Sequence, residues 1–158
     1  LASIIERIVQ ACRAAEQEPM PHEQDDGYVV VEHTADVALR VWGRSLEDLF
    51  CNAARGMFAQ MADLTQTAPT VRREITLEAD DEEALLVAWL NELLYLREVN
   101  REVYVRFNVR FPRPGAVHGT AEGAHCAQIA RPIKAATYHD LRIARTDSGY
   151  EATIVFDV

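Results

Sequence analysis

Long hydrophobic runs are missing from this sequence. No apolar stretch approaches the roughly 20 residues that a membrane-spanning helix needs. The opening residues carry Glu6, Arg7 and Arg13, where a secretory signal keeps an uninterrupted apolar core. Cysteine is scarce as well. Cys12, Cys51 and Cys126 are odd in number and widely spaced, which fits reduced thiols better than a disulfide framework or a zinc site. A soluble, cytoplasmic chain is the expectation. Positive charge is also short: 16 Lys and Arg stand against 25 Asp and Glu, for a net charge of −9. A phosphate backbone needs several basic contacts to neutralise it, so no direct nucleic-acid binding is expected. The local basic groups Arg72–Arg73 and Arg106, Arg110 and Arg113 are explained most simply as a solvated strand face. Finally, there is no glycine-rich phosphate loop, nucleophile elbow, His-Glu-x-x-His or Cys-x-x-Cys, the signatures from which an enzyme class is commonly read.

What remains is an ordinary globular composition: 158 residues, 49% hydrophobic and 26% charged, enough for one domain with a genuine core. Leu1, Ile4, Ile5, Ile8, Val9 and Cys12 recur at spacings of three and four, predicting an amphipathic helix within residues 1–20. Pro19, Pro21 and the polar run Glu23–Gly27 then interrupt regular structure. Residues 1–27 therefore read as an appended helix with a linker, and residues 28–158 as the domain.

From Tyr28 the pattern turns to β. Tyr28–Glu32 is rich in β-branched residues, and Val37, Leu39 and Val41 alternate with Ala38, Arg40 and Trp42 up to Gly43. Ser45 is a good helix N-cap, with Asp48 three residues on. Leu46, Leu49, Phe50, Ala53, Met57, Phe58 and Met61 follow along one core stripe. A strand over Val71–Ala79 leads to the acidic run Asp80–Glu83, whose charges suit the exposed amides of a helix N-terminus. The helix Ala84–Val99 is apolar on most sides, with only Asn91, Glu92, Arg97 and Glu98 as a polar edge, and is expected to be central and buried. Strict alternation over Glu102–Phe111 predicts a strand with one wet face. A strand near Ala116–Glu122 follows, then a long one from Ile133 to Arg145, and a hairpin through Asp147-Ser148-Gly149 into Tyr150–Val158. Two main helices covering an antiparallel or mixed sheet of about seven strands make an α+β domain in two layers.

Two polar clusters interrupt these patterns. Glu32-His33-Thr34-Ala35-Asp36 lies where two β segments meet, and a turn bonded by Thr34 or Asp36 explains it most simply. Lys134-Ala-Ala-Thr137-Tyr138-His139 lies on a strand, where period two puts Lys134, Ala136 and Tyr138 on one face and Ala135, Thr137 and His139 on the other. A solvated strand face explains that one. The end of the sequence adds weight to both, because Asp157 is followed by the α-carboxylate of Val158. With Asp36 beside them, these groups would offer the clustered oxygens that Ca²⁺, Mg²⁺ or Mn²⁺ prefers. Without a cation or a basic partner they repel one another.

Taken together, four segments resemble the archease family. They are Tyr28-Val-Val-Val-Glu-His-Thr-Ala-Asp36-Val, Leu85-Leu-Val-Ala-Trp-Leu-Asn-Glu-Leu-Leu-Tyr95, Ile133-Lys-Ala-Ala-Thr-Tyr-His139 and Ile154-Val-Phe-Asp-Val158. Their order and spacing match from about Tyr28 to Val158. The resemblance implies an archease-like fold and the role of an accessory protein, not an enzyme. Such a protein promotes guanylylation and repeated turnover of a GTP-dependent RtcB-type tRNA ligase, in tRNA splicing or RNA repair. It further implies a metal site at Asp36, Asp157 and the Val158 carboxylate, with Ca²⁺ as the leading ion, and a functionally important lysine at Lys134. His33, Tyr138 and His139 stand as supporting residues. Two other readings compete: a general chaperone or interaction scaffold, and a metal-dependent hydrolase built on His33, Asp36, His139 and Asp157.

Overall fold

The structure, a computed structural model, describes residues 26–32 and 36–158. The expected N-terminal helix and His33 lie outside the described residues.

β1 (Tyr28–Glu32) and β2 (Asp36–Gly43) pair antiparallel, with Glu32 opposite Val37 and Tyr28 opposite Val41. β2 ends at Gly43, and α1 (Leu46–Met61) starts at the predicted cap: the Ser45 hydroxyl accepts from the Asp48 amide at 3.1 Å, satisfying a donor that the helix leaves unpaired. Leu49, Phe50, Ala53, Met57 and Phe58 are fully buried along its core stripe. β3 (Val71–Glu78) leads to α2 (Glu82–Asn100), which Asp81 caps by accepting from the Ala84 amide at 2.7 Å. At its far end Arg101 adopts the left-handed conformation (φ 55°) and bonds back to Arg97, a common way to stop a helix. As expected, α2 is the central helix: Leu85, Leu86, Trp89, Leu90 and Leu93 are buried, each worth about 1.5–3 kcal/mol against exposure.

β4 (Glu102–Arg110) and β5 (Ala116–His125) follow, then β6 (Ala135–Ala136), β7 (Ala144–Thr146) and β8 (Gly149–Asp157). The α+β class is as expected, with every strand pair antiparallel. The strands divide between two sheets. One runs β1-β2-β8-β6, with β7 also on β8, and the other runs β3-β5-β4. Gly119 marks where a helix and a sheet approach closely: a Cβ there would stand 2.6 Å from the Trp89 ring.

Two expectations need correcting. The long strand from Ile133 to Arg145 does not form, because Asp140 sits at φ 50° inside a turn closed by Leu141 N donating to Tyr138 O; a strand cannot pass through that conformation. What remains is the two-residue β6 and the three-residue β7. The alternation of β4 also breaks. The register slips between Tyr104 and Arg106, and a bulge of this kind turns the side chains before it to the other face. Glu102 and Tyr104, expected on the wet face, are therefore buried at 4% and 0% exposure. Arg73 from β3 grips Glu102 through two bonds of 2.9 and 2.8 Å, and the Tyr104 hydroxyl donates to the same carboxylate at 2.9 Å. Those bonds from Arg73, more than the opposing burial, hold the Glu102 carboxyl below its ordinary range. Burial first, and then the Glu102 charge, pushes the Tyr104 hydroxyl up.

Candidate functional site

β2 begins at Asp36 and β8 ends at Asp157, and the antiparallel register sets these two residues directly opposite each other. Such partners share a face, with Cβ atoms about 4.5–5.5 Å apart, and like charges so placed repel. On the same face the next pair inward is Ala38 and Val155, at 0% and 1% exposure, with Val31 packed beside them. The carboxylates thus stand at the end of an apolar strip, Asp36 half-buried and Asp157 exposed. Among the described residues neither side chain forms an ion pair or a side-chain hydrogen bond. Val158 follows, half-buried against the main core.

The segment 133–139 meets the same strand end from the other side. Ala135 is the β6 partner of Asp157, and the Lys134 amide donates to the Asp157 carbonyl at 2.8 Å. Lys134 is the only lysine in the chain. Its side chain is exposed and makes no ion pair among the described residues. Buried Ile133 (6% exposed) anchors the main chain immediately before it. Thr137 then ties down the other end, its amide and its hydroxyl both donating to the Val155 carbonyl, at 3.0 and 2.8 Å. Asp36, Asp157 and the Lys134 main chain are therefore gathered at one end of one sheet, from three distant parts of the sequence.

Tyr138 and His139 lie beyond β6. Tyr138 is 61% exposed. The His139 Nε2 is 3.2 Å from the neighbouring Asp140 carboxylate, not beside Asp36 or Asp157. Among the described residues no three His, Cys, Asp or Glu side chains converge as metal ligands. Among the described residues the side-chain donors on hand are the carboxylate oxygens of Asp36 and Asp157. Carboxylate oxygens suit a hard cation, and two opposed, unpaired carboxylates are the environment a cation relieves.

One residue of this region escaped the sequence reading. Asn91, assigned to the polar edge of α2, accepts from the Ala136 amide at 2.8 Å and donates to the Ala136 carbonyl at 3.2 Å. Its only sequence signal is an amide inside a strongly apolar helix. Elsewhere, Arg72, Arg106, Arg110 and His118 border a shallow cavity of about 630 Å³ on the outer face of β3-β5-β4. Two of these arginines already face carboxylates, Arg106 with Glu122 at 3.2 Å and Arg72 with Glu74 at 3.9 Å, as befits a solvated strand face. Burial raises the Cys51 thiol to about 11, which leaves it unreactive at neutral pH.

Residues 28–158 match the model of the Archease protein family (MTH1598/TM1083). The chain belongs to the archease family. An archease from Methanosarcina mazei is 36% identical over 143 residues, covering 85% of this chain and 98% of the relative. One from Saccharolobus solfataricus is 38% identical over 132 residues, covering 80% and 95%. The solution structure of Methanobacterium thermoautotrophicum protein 1598 superposes with a TM-score of 0.72 at 28% identity, over 84% of this chain and 99% of that one. A Thermotoga maritima archease, described in its crystal structure as a possible chaperone, shares the fold at a TM-score of 0.55 and 22% identity, over 90% and 100%. Membership carries the coarse role expected from the sequence, that of an archease accessory protein. Among the described residues no helix is long and apolar enough to cross a membrane.

Proposed function

We propose that this archease activates an RtcB-type RNA ligase, promoting its guanylylation and repeated turnover in tRNA splicing or RNA repair. The observation that supports this most directly is the convergence of Asp36, Asp157 and Lys134 at one sheet end. Asp36 is opposite Asp157 on one side, and the Lys134 amide bonds to Asp157 on the other. These are the residues that the family resemblance implies for metal binding and ligase activation. The residues fit a hard cation, with Ca²⁺ first and Mg²⁺ or Mn²⁺ as alternatives. Asp36, Asp157 and the Val158 carboxylate would hold it, and the bound ion would supply charge neutralisation near a triphosphate. Half-buried Asp36 and exposed Asp157 bring negative charge to the end of this sheet. The Lys134 ammonium, free of any described carboxylate, offers a donor to a phosphate or to an acidic group of the ligase. The fixed main chain around it means that little ordering is left for the docking step.

The test is guanylylation and multiple-turnover ligation by a matching ligase, with and without this protein. The parent should stimulate the ligase, and Lys134→Ala or Asp157→Ala should do so little. A general chaperone is the second reading. Tyr95 and Val99, one turn apart on α2, are both exposed, an apolar pair on the helix surface that another protein could cover. Suppression of aggregation without any effect on the ligase would favour that reading.

A further inference from the structure

The chain from Cys126 to Ile143 runs along α2 in the opposite direction to the helix. Three contacts fix it there: the Cys126 amide donates to the Arg101 carbonyl at 2.8 Å, Ala136 meets Asn91, and the Ile143 amide donates to the Glu83 carboxylate at 3.1 Å. β6 lies midway along this strap and is only two residues long. A strand that short gains little from its own ladder, so its position depends on what holds it laterally.

On one side β8 holds it, through Lys134 N to Asp157 O and Thr137 N to Val155 O. On the other side no strand is present among the described residues, and the Asn91 side chain takes the place of one. Its Oδ1 accepts from the Ala136 amide at 2.8 Å while its Nδ2 donates to the Ala136 carbonyl at 3.2 Å. One residue exchanging both its main-chain groups with a single partner is the pattern of a hydrogen-bonded strand pair. A primary amide is the side-chain group that reproduces it, offering acceptor and donor together. Ala136 itself is 4% exposed, so water is a poor substitute for either bond.

We infer that Asn91 is a positioning residue for Lys134: through Ala136, two residues on, it fixes the main chain that carries the exposed Lys134 side chain and bonds to the Asp157 carbonyl. Asparagine has low helix propensity and replaces an apolar side chain in a buried helix. The clamp is what it supplies in exchange. The functional half of this inference rests on the ligase-directed reading of Lys134; the structural half stands by itself.

Two variants of the full chain test it, Asn91→Leu, which removes both bonds at similar volume, and Asn91→Asp, which keeps the acceptor for the Ala136 amide and loses the donor. The readout is backbone amide hydrogen exchange, resolved by residue, with ligase turnover measured alongside. In Asn91→Leu the Lys134 and Ala136 amides should exchange about tenfold faster, as loss of a clamping hydrogen bond implies. The Leu90 and Leu93 amides of α2 should stay near parent rates. In Asn91→Asp the Ala136 amide should keep more of its protection, and ligase stimulation should fall less than in Asn91→Leu. Unchanged exchange at Lys134 and Ala136 in both variants overturns the clamp. So does acceleration spread evenly over the α2 core, which would make Asn91 a residue of global stability. If Asn91→Leu does not fold, the same comparison in Asn91→Asp decides. Loosened Lys134 and Ala136 amides, in a chain whose Lys134→Ala variant stimulates the ligase normally, uphold the clamp and remove the ligase reading.

Discussion

Asp36 and Asp157 are direct cross-strand partners, the first residue of β2 facing the last residue of β8. Two unpaired like charges in that position destabilise the pair of strands by roughly 0.2–1 kcal/mol. Asp157→Asn should therefore leave the cation-free protein as stable as the parent or slightly more so. Under the proposed function it should also lose the thermal shift that Ca²⁺ or Mn²⁺ confers on the parent. Melting curves with and without each ion report both effects. A variant that melts clearly lower without metal would show that Asp157 has a structural partner.

The Val158 carboxylate is tested without changing any side chain. A short C-terminal extension converts it to a peptide carbonyl and removes one negative charge. Calorimetric titration with Ca²⁺ and Mn²⁺ should then show weaker binding, and guanylylation of the ligase should fall in parallel. Equal binding and equal activation by the extended protein would exclude the terminal carboxylate as a ligand.

Lys134→Ala should separate function from folding. The side chain is exposed and unpaired among the described residues, so the melting temperature should stay within a few degrees of the parent. Multiple-turnover ligation is the sensitive measurement and should drop.

Arg73→Ala strands the buried Glu102 carboxylate. Partial exposure of Arg73 (38%) keeps the cost below that of a fully buried pair, at about 2 kcal/mol in urea unfolding. The pH dependence has a definite sign. Glu102 titrates lower in the folded chain than its ordinary 4.5, so its stabilisation is present above that value and lost as pH falls through the folded pKa. The gap between parent and Arg73→Ala should be widest near neutrality and close in acid.

Removing residues 1–26 should leave a domain that folds, because the family match begins at Tyr28, and under the proposed function that domain should still stimulate the ligase. Circular dichroism and the turnover assay together decide it, and loss of folding would assign the N-terminal segment to the core.

The sequence by itself determined what local rules control. Helix caps at Ser45 and Asp81, the apolar stripes of both helices, the hairpin through Asp147 and Ser148, and the alternation of β8 each depend on residues within a turn or two of one another. Short-range hydrogen bonds and the 3.6- and 2-residue periods act over that distance, so these elements were legible without coordinates. Motif resemblance marked Asp36, Lys134, Asp157 and Val158 as a set, yet no periodicity says that they meet. Only the tertiary structure decided that Asp36 faces Asp157 and that Lys134 bonds beside it, since strand order in a sheet is set by long-range pairing. The bulge that buries Glu102 and Tyr104 belongs to the same class: a one-residue slip between β4 and β5 reverses which side of the sheet a side chain occupies. Asn91 is the clearest case. As a residue of α2 it reads as polar edge, and its role exists only because the strap from Cys126 to Ile143 lies along that helix and leaves Ala136, paired with β8 on one side, facing Asn91 on the other.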